Sequence, residues 1–172
     1  MFKEYHFIQD KIWAPKPEDL QREVEWVAQR VREIGFDNLQ RLARKARNVR
    51  ENAYKEYSKY GVGAAILTSE KSVFSGCNVE NVVYFAGHAE YVAITKAVST
   101  GIQNRAGRTF IDAIAVVAGG DSGPCGFCRQ MLLEFADNCV VLDVNPEGEI
   151  VQASSLKTLL PNAFGPSHLG IK

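Results

Sequence analysis

Residues 111–153 read IDAIAVVAGGDSGPCGFCRQMLLEFADNCVVLDVNPEGEIVQA, and the succession of patterns in this stretch decides the fold. Ile111 to Ala118 is an apolar run of the kind expected for a central strand covered on both faces. A helix is predicted from about Cys125 to Ala136. Val140 to Val144 and Glu149 to Ala153 are short strands separated by Asn145-Pro146-Glu147-Gly148. Four residues close a hairpin but cannot cross a sheet, so these last two strands are antiparallel.

Upstream, a helix is predicted from about His88 to Ser99, stopped by Gly101. Val62 to Leu67 and Val73 to Val79 read as strands joined by the hairpin-length loop Thr68-Ser69-Glu70-Lys71. A further helix is predicted with Asp37 as its N-cap and Leu39, Leu42, Ala46, Val49 and Ala53 facing inward. Before it, Leu20, Val24, Val27, Val31 and Ile34 fall on one helical stripe that begins after Pro17 and ends at Gly35. The layout is a mixed α/β sheet with helices on both faces. A helical extension (residues 1–36) precedes the main domain (residues 37–172).

Hydrophobic residues make up 46% of the chain and charged residues 23%, proportions of a globular protein and not of a disordered one. At 172 residues one domain can bury a core without disulfide help. Lys+Arg and Asp+Glu are both 20, so the net charge is zero, which argues against a nucleic acid held through its phosphates. The basic stretch from Arg41 to Arg50 reads as a solvated helix face. No run approaches the roughly 20 apolar residues that span a membrane, and none near the amino terminus resembles a signal peptide. A cytoplasmic protein with no membrane partner is expected. Four cysteines in that compartment do not suggest a disulfide framework; Cys77 and Cys139, in apolar surroundings, are expected to be buried small hydrophobes.

The other two cysteines carry chemistry. Cys125 and Cys128 are three residues apart, so one helical turn points both sulfurs the same way. Pro124 suits the start of that helix, where free amides and the dipole favour thiolates. His88-Ala89-Glu90 opens the other predicted helix. One imidazole and two thiolates suit zinc, and three protein ligands leave the fourth tetrahedral position to water. On a regular helix His88 and Glu90 would point to opposing sides. Both serve one cavity only at the helix entry, where Glu90 is placed as a general acid and base and not as a fourth ligand. Two other readings stay open: a closed structural zinc site with a fourth ligand from Cys77, Cys139, His6 or His168, and a redox Cys-x-x-Cys pair, which leaves His88 and Glu90 unexplained.

The His-x-Glu and Pro-Cys-x-x-Cys halves together match the signature of zinc deaminases, and about residues 39 to 169 resemble the short, single-domain cytidine deaminases. Ala53-Tyr54, Tyr57-Ser58-Lys59-Tyr60-x-Val62-Gly63-Ala64-Ala65, Gly76-Cys77-Asn78-Val79-Glu80-Asn81, Pro124-Cys125-Gly126-Phe127-Cys128-Arg129-Gln130 and Leu159-Leu160-Pro161-x-Ala163-Phe164 carry the resemblance. It implies a three-layer α/β/α sandwich around a five-stranded mixed sheet. It also implies Zn2+ as cofactor and hydrolysis of cytidine or deoxycytidine to uridine or deoxyuridine and ammonia, in pyrimidine salvage. By the same resemblance, Asn78 and Glu80 would hydrogen-bond the ribose 3′-hydroxyl, the main chain at Ala89 would accept from the substrate amino group, and Tyr60 would wall the pocket. Tyr84 and Phe164 would enter a neighbouring subunit's pocket, which implies a homotetramer.

The chain departs from the pattern at four places. His88 stands where short members usually have Cys, and Tyr91 where they usually have Arg. The segment from Tyr84 to His88 is one residue shorter than usual, and about 36 residues precede the family core. A deaminase of a modified aminopyrimidine nucleoside such as blasticidin S, and a non-catalytic zinc protein, are the alternatives.

Overall fold

The computed structural model describes residues 16–84, 86–120 and 123–171. Helices α1 (Pro17–Ile34) and α2 (Phe36–Arg50) lead into strands β1 (Gly63–Thr68) and β2 (Val73–Cys77). Helices α3 (Ala89–Ser99) and α4 (Ile102–Ala106) follow, then β3 (Ile111–Val117), α5 (Gly126–Phe135), β4 (Val140–Val144), β5 (Ile150–Ser155) and the single turn α6 (Leu156–Leu159). A 3-10 turn, Pro166–Leu169, lies close to the carboxyl end.

The five strands form one sheet in the order β2-β1-β3-β4-β5. Only β3 and β4 run parallel, because α5 lies between them and returns the chain to the same edge, the connection a parallel pair needs. The remaining pairs are antiparallel, including the expected β4–β5 hairpin, whose connection (residues 145–149) is one residue longer than the four read from the sequence. Alternation along the strands divides the core in two. Ala64, Ile66, Ile114, Val116 and Val141 face a layer that includes Ala93, Ile94 and Leu132 of α3 and α5. Ala65, Leu67, Ala113, Ala115, Val140 and Leu142 face Leu39, Leu42, Ala43 and Ala46 of α2. The architecture is therefore the three-layer sandwich expected from the sequence. No helix among the described residues is long and apolar enough to cross a membrane.

Close backbone approach sets α3 onto the sheet. A Cβ added to Gly76 of β2 would stand 2.5 Å from the Ala89 carbonyl oxygen and 2.6 Å from the Ala93 nitrogen. Only glycine permits this contact, and it fixes the entry of α3 above the end of the sheet.

Several local expectations are corrected. Asp37 is not the N-cap of α2; Gly35 is, at φ 87°, and its N–H also bonds Val31 O at the end of α1. One left-handed glycine thus ends one helix and begins the next, which leaves Asp37 in the first turn, on the side of the dipole that favours an acid. Val49 is only half-buried, and Ala53 lies in the turn beyond the helix. The stripe along α1 is covered over part of its length. Ile34 is buried and Trp26 and Val31 pack on the α2-side core, whereas Leu20 and Val24 are 41% and 63% exposed. The reversal at Gly35 presses the last turns of α1 onto the domain, while Leu20 borders an open groove shared with Leu133 and Pro161. Polar ties complete the docking: Arg30 pairs with Asp112 of β3 at 3.0 Å, and Asn138 donates to Glu23 at 3.1 Å. Cys139 is fully buried, and burial pushes its thiol up to about 12. Cys77, at the end of β2, is only half-buried.

Candidate active site and metal centre

His88 and Cys125 occupy equivalent places: each is the N-cap of its helix, with extended backbone, and neither side chain caps the helix. Positions that usually take Ser, Thr, Asp or Asn here carry side chains turned to other work. Pro124 consequently lies one residue before the N-cap and not in the first turn as expected; its carbonyl accepts from Arg129 Nε at 2.7 Å. Arg129 also donates from Nη1 to Leu159 O at 2.8 Å, so a side chain with no sequence-level signal beyond the motif ties the metal loop to the carboxyl segment.

His88 Nδ1 lies 3.5 Å from Cys125 Sγ and 3.4 Å from Cys128 Sγ. Zn–N and Zn–S bonds of about 2.0 and 2.3 Å at a tetrahedral angle place nitrogen and sulfur about 3.5 Å apart, so both nitrogen–sulfur separations suit ligands of one zinc ion. They are the group of possible ligands among the described residues whose atoms all lie within 4.8 Å of one another. Among the described residues no fourth protein ligand joins them, as a closed structural site would require; Cys77, Cys139 and His168 are not in the group, and His6 lies outside the described residues. His88, Cys125 and Cys128 thus fit Zn2+ with one position open. Burial, then Glu90 and Cys125, push the Cys128 thiol up in the absence of a metal, which corrects the expectation that the helix N-terminus would lower it. Zinc binding must displace that proton.

Glu90 follows in the first turn of α3 and is 4% exposed. With His88 at the N-cap, two residues of separation bring both side chains to one cavity, as the helix-entry argument requires. That cavity, about 410 Å³, is lined by His88, Glu90, Cys125, Tyr60, Asn78 and Glu80 together with Ala89, within the range of small-molecule pockets. A larger cavity of about 950 Å³ lies between α1 and the carboxyl segment and contains none of the three ligands; size alone does not mark the site.

The ribose candidates Asn78 and Glu80 line the same cavity as His88, Glu90 and Cys125. Asn78 Oδ1 accepts from Val62 N at 2.8 Å and Nδ2 donates to Tyr60 O at 2.9 Å, fastening the approach to β1. Glu80 Oε2 accepts from the amides of Tyr57 and Ser58 at 2.8 and 3.1 Å, and Oε1 from the Ser58 hydroxyl. The Ser58 hydroxyl foremost, helped by these amides, holds the Glu80 carboxyl below the usual range. Ser58, quoted in the motif but given no role there, is thus the residue that orients Glu80. Tyr60 OH donates to Gly119 O at 2.8 Å. The Ala89 carbonyl presses towards Gly76, while the first amides of a helix have no intrahelical partner. Tyr84 is 83% exposed beside Tyr57 in an adjoining cleft, and Phe164 is 62% exposed, stacked on His168 at 5.0 Å. Neither lines the metal cavity of its own chain.

A zinc site with an open position and a buried carboxylate beside it is the equipment of a hydrolytic metalloenzyme. Residues 37–143 match the cytidine and deoxycytidylate deaminase zinc-binding region, and the chain belongs to that family of zinc-dependent deaminases. It is 38% identical to the cytidine deaminase of Sporosarcina psychrophila over 136 residues, 77% of this chain and 95% of that one. It is 42% identical to that of Halalkalibacterium halodurans over 130 residues, 73% and 92% of the two chains. The crystal structure of cytidine deaminase from Burkholderia pseudomallei superposes with a TM-score of 0.65 at 38% identity, covering 72% of this chain and 96% of that one. These likenesses do not favour a structural zinc protein or a deaminase of modified nucleosides.

Proposed function

We propose that the chain catalyses the hydrolytic deamination of cytidine and deoxycytidine to uridine and deoxyuridine, with Glu90 as the residue that moves protons. The observation that carries this reading is that Glu90 is buried in the cavity lined by His88 and Cys125 and stands against Cys128, the third member of the metal-ligand group. Zinc held by these three residues supplies Lewis-acid activation of water. Glu90 takes a proton from the attacking water and passes it to N3 of the pyrimidine as the oxygen bonds to C4. It then takes the proton of the new C4 hydroxyl and delivers it to the amino group; the C4–N bond breaks as C4=O forms and ammonia leaves, so that water and cytidine are consumed and uridine and ammonia formed.

Asn78 and Glu80 hold the ribose 3′-hydroxyl. Glu80 has three acceptor positions filled by Tyr57 and Ser58, and a carboxylate offers about four, so one remains for the sugar. A carboxylate there also disfavours a substrate phosphate. Tyr60 walls the pocket, and Ala89 meets the base through its main chain. The position of the Ala89 carbonyl beside Gly76 supports the amide as the contributing group, donating to the exocyclic O2 of the base, in place of the carbonyl accepting from the amino group. The exposure of Tyr84 and Phe164 supports their service to a neighbouring subunit in a homotetramer, with residues 1–36 as an extension outside the catalytic domain of residues 37–172. Recovery of uridine from cytidine in the cytoplasm would place the reaction in pyrimidine salvage.

The test is a substrate panel followed by ultraviolet absorbance: cytidine, deoxycytidine, cytidine monophosphate, cytosine, adenosine, guanine and blasticidin S. Turnover of the two nucleosides ahead of the rest is expected. Preference for blasticidin S or the monophosphate would reassign the substrate. No ammonia from any of them, with zinc bound, would overturn the reaction. Light scattering decides the assembly.

A further inference from the structure

The imidazole of His88 faces the two sulfurs on one side and an aromatic ring on another. The centroid of Phe127 lies 5.3 Å from that of His88 with 53° between the planes, and Phe127 is in turn 6.3 Å from Tyr91 at 52°. Phe127 stands in the first turn of α5 between the cysteine ligands; Tyr91 stands in the first turn of α3, directly after Glu90. One aromatic contact therefore joins the two helices whose N-termini carry the metal ligands. Both rings reach solvent, Phe127 being 55% and Tyr91 37% exposed, so neither is explained by core packing.

A metal-bound histidine is usually oriented by a hydrogen bond from its second ring nitrogen. Here Nδ1 is the nitrogen turned to Cys125 and Cys128, and among the described residues no group accepts from Nε2. The face and edge of an aromatic ring restrict an imidazole in the same sense, and aromatic pairs at centroid separations of about 4.5–7 Å are attractive beyond their buried area.

We propose that Phe127, braced by Tyr91, is a positioning residue for the metal ligand His88. Its ring keeps the imidazole turned so that Nδ1 meets the thiolates, and covers that side of the zinc site. The proposal rests on the zinc site and not on the identity of the substrate, so it stands or falls separately from the substrate panel.

The test measures the zinc dissociation constant of the whole protein by competition with a chromogenic chelator, and the visible spectrum of the cobalt-substituted protein. The variants are Phe127→Ala, Phe127→Leu, Phe127→Tyr, Tyr91→Ala and, as a control on an exposed apolar residue far along the chain, Val151→Ala. Phe127→Ala is expected to weaken zinc about 10- to 100-fold, the usual cost of losing a group that orients a ligand, and to shift the cobalt bands. Phe127→Tyr should restore both, Phe127→Leu only in part. Tyr91→Ala should show a smaller loss, and Val151→Ala none. A folded Phe127→Ala protein with wild-type zinc affinity and cobalt spectrum overturns the proposal. So does equal performance of Phe127→Leu and Phe127→Tyr, which decides the matter even if Phe127→Ala does not fold, and so does an equal loss in Val151→Ala.

Discussion

Gly76 lies so close beneath Ala89 that a methyl group on it would stand 2.5 Å from the Ala89 carbonyl oxygen. The contact sets the height of α3 above β2, and so the position of His88 and Glu90 relative to Cys125 and Cys128. Gly76→Ala must lift the helix entry. Overpacking of this kind costs about 1–3 kcal/mol, so the melting temperature should fall and zinc should bind more weakly in the same variant. A stable variant with unchanged zinc affinity would show that α3 is placed by other contacts.

Glu90→Gln separates a base from a ligand. The three other groups already complete the protein's share of a zinc site, so the variant should keep about one zinc per chain while losing about 10³-fold or more in kcat. Metal analysis and absorbance kinetics on the same preparation decide it. Loss of the zinc would show Glu90 to be a ligand.

Glu80→Gln addresses the sugar. The carboxylate is pre-oriented by Ser58 and Tyr57, and a hydrogen bond to a charged group is worth about 1.5–3 kcal/mol, so kcat/KM for cytidine should fall about tenfold to a hundredfold. Part of the loss should appear in kcat, because sugar contacts orient the base for attack. Free cytosine should be a poor substrate and nearly indifferent to the change. Equal losses with cytosine and cytidine would remove Glu80 from the ribose site.

What the sequence disclosed follows from how local each signal is. Two short strand patterns separated by a four-residue turn signal gave the β4–β5 hairpin, and two short motifs at helix starts gave the metal ligands, because each depends on neighbours in sequence. The periodicity of Leu20 and Val24 stated that a helix face was apolar but not what would cover it, and the structure leaves both exposed. Asp37 suits an N-cap, but Gly35 had already reversed the chain. The effect of the helix dipole on Cys128 was argued from one helix alone, whereas burial first, and then Glu90 of another element, raise the thiol in the absence of a metal. The contact of Phe127 with His88 joins residues far apart in the chain, and no spacing rule reaches it.

Asp143 of β4 gives a pH-dependent prediction. Its Oδ1 is buried without a hydrogen-bond partner, against Gly123 of the metal loop. Burial raises its pKa, opposed in part by Arg129. A raised value means that the folded chain holds the proton more tightly than the unfolded chain. The stability this contributes is complete below the unfolded value of about 3.9 and is lost as pH rises through the folded one. Asn does not titrate, so Asp143→Asn should melt higher than the parent at neutral pH, with the gain shrinking as the solution is made acidic. The group is partly solvated, which reduces the effect; about 1 kcal/mol, or about 2–4 °C in a chain of this size, is expected at pH 7. A gain that grows on acidification would reverse the assignment.

The extension yields a paired test of which part of its stripe is buried. Ile34, at the end of α1, is 5% exposed and packs with Leu39, Leu42 and the sheet, whereas Val24, three turns earlier, is 63% exposed. Truncating a buried Ile to Ala costs about 2–5 kcal/mol, while a surface change away from such contacts stays within about 0.5 kcal/mol. Ile34→Ala should therefore shift the denaturant midpoint strongly and Val24→Ala hardly at all. Because Ile34 touches the face of the sheet opposite α3 and α5, kcat measured below the transition should change little in either variant. Equal, small effects on the midpoint would mean that α1 contributes no stability to the domain. A large effect of Val24→Ala, on the other hand, would show that its stripe is covered in solution by a second chain, which light scattering of the two variants would then reveal as a change in mass.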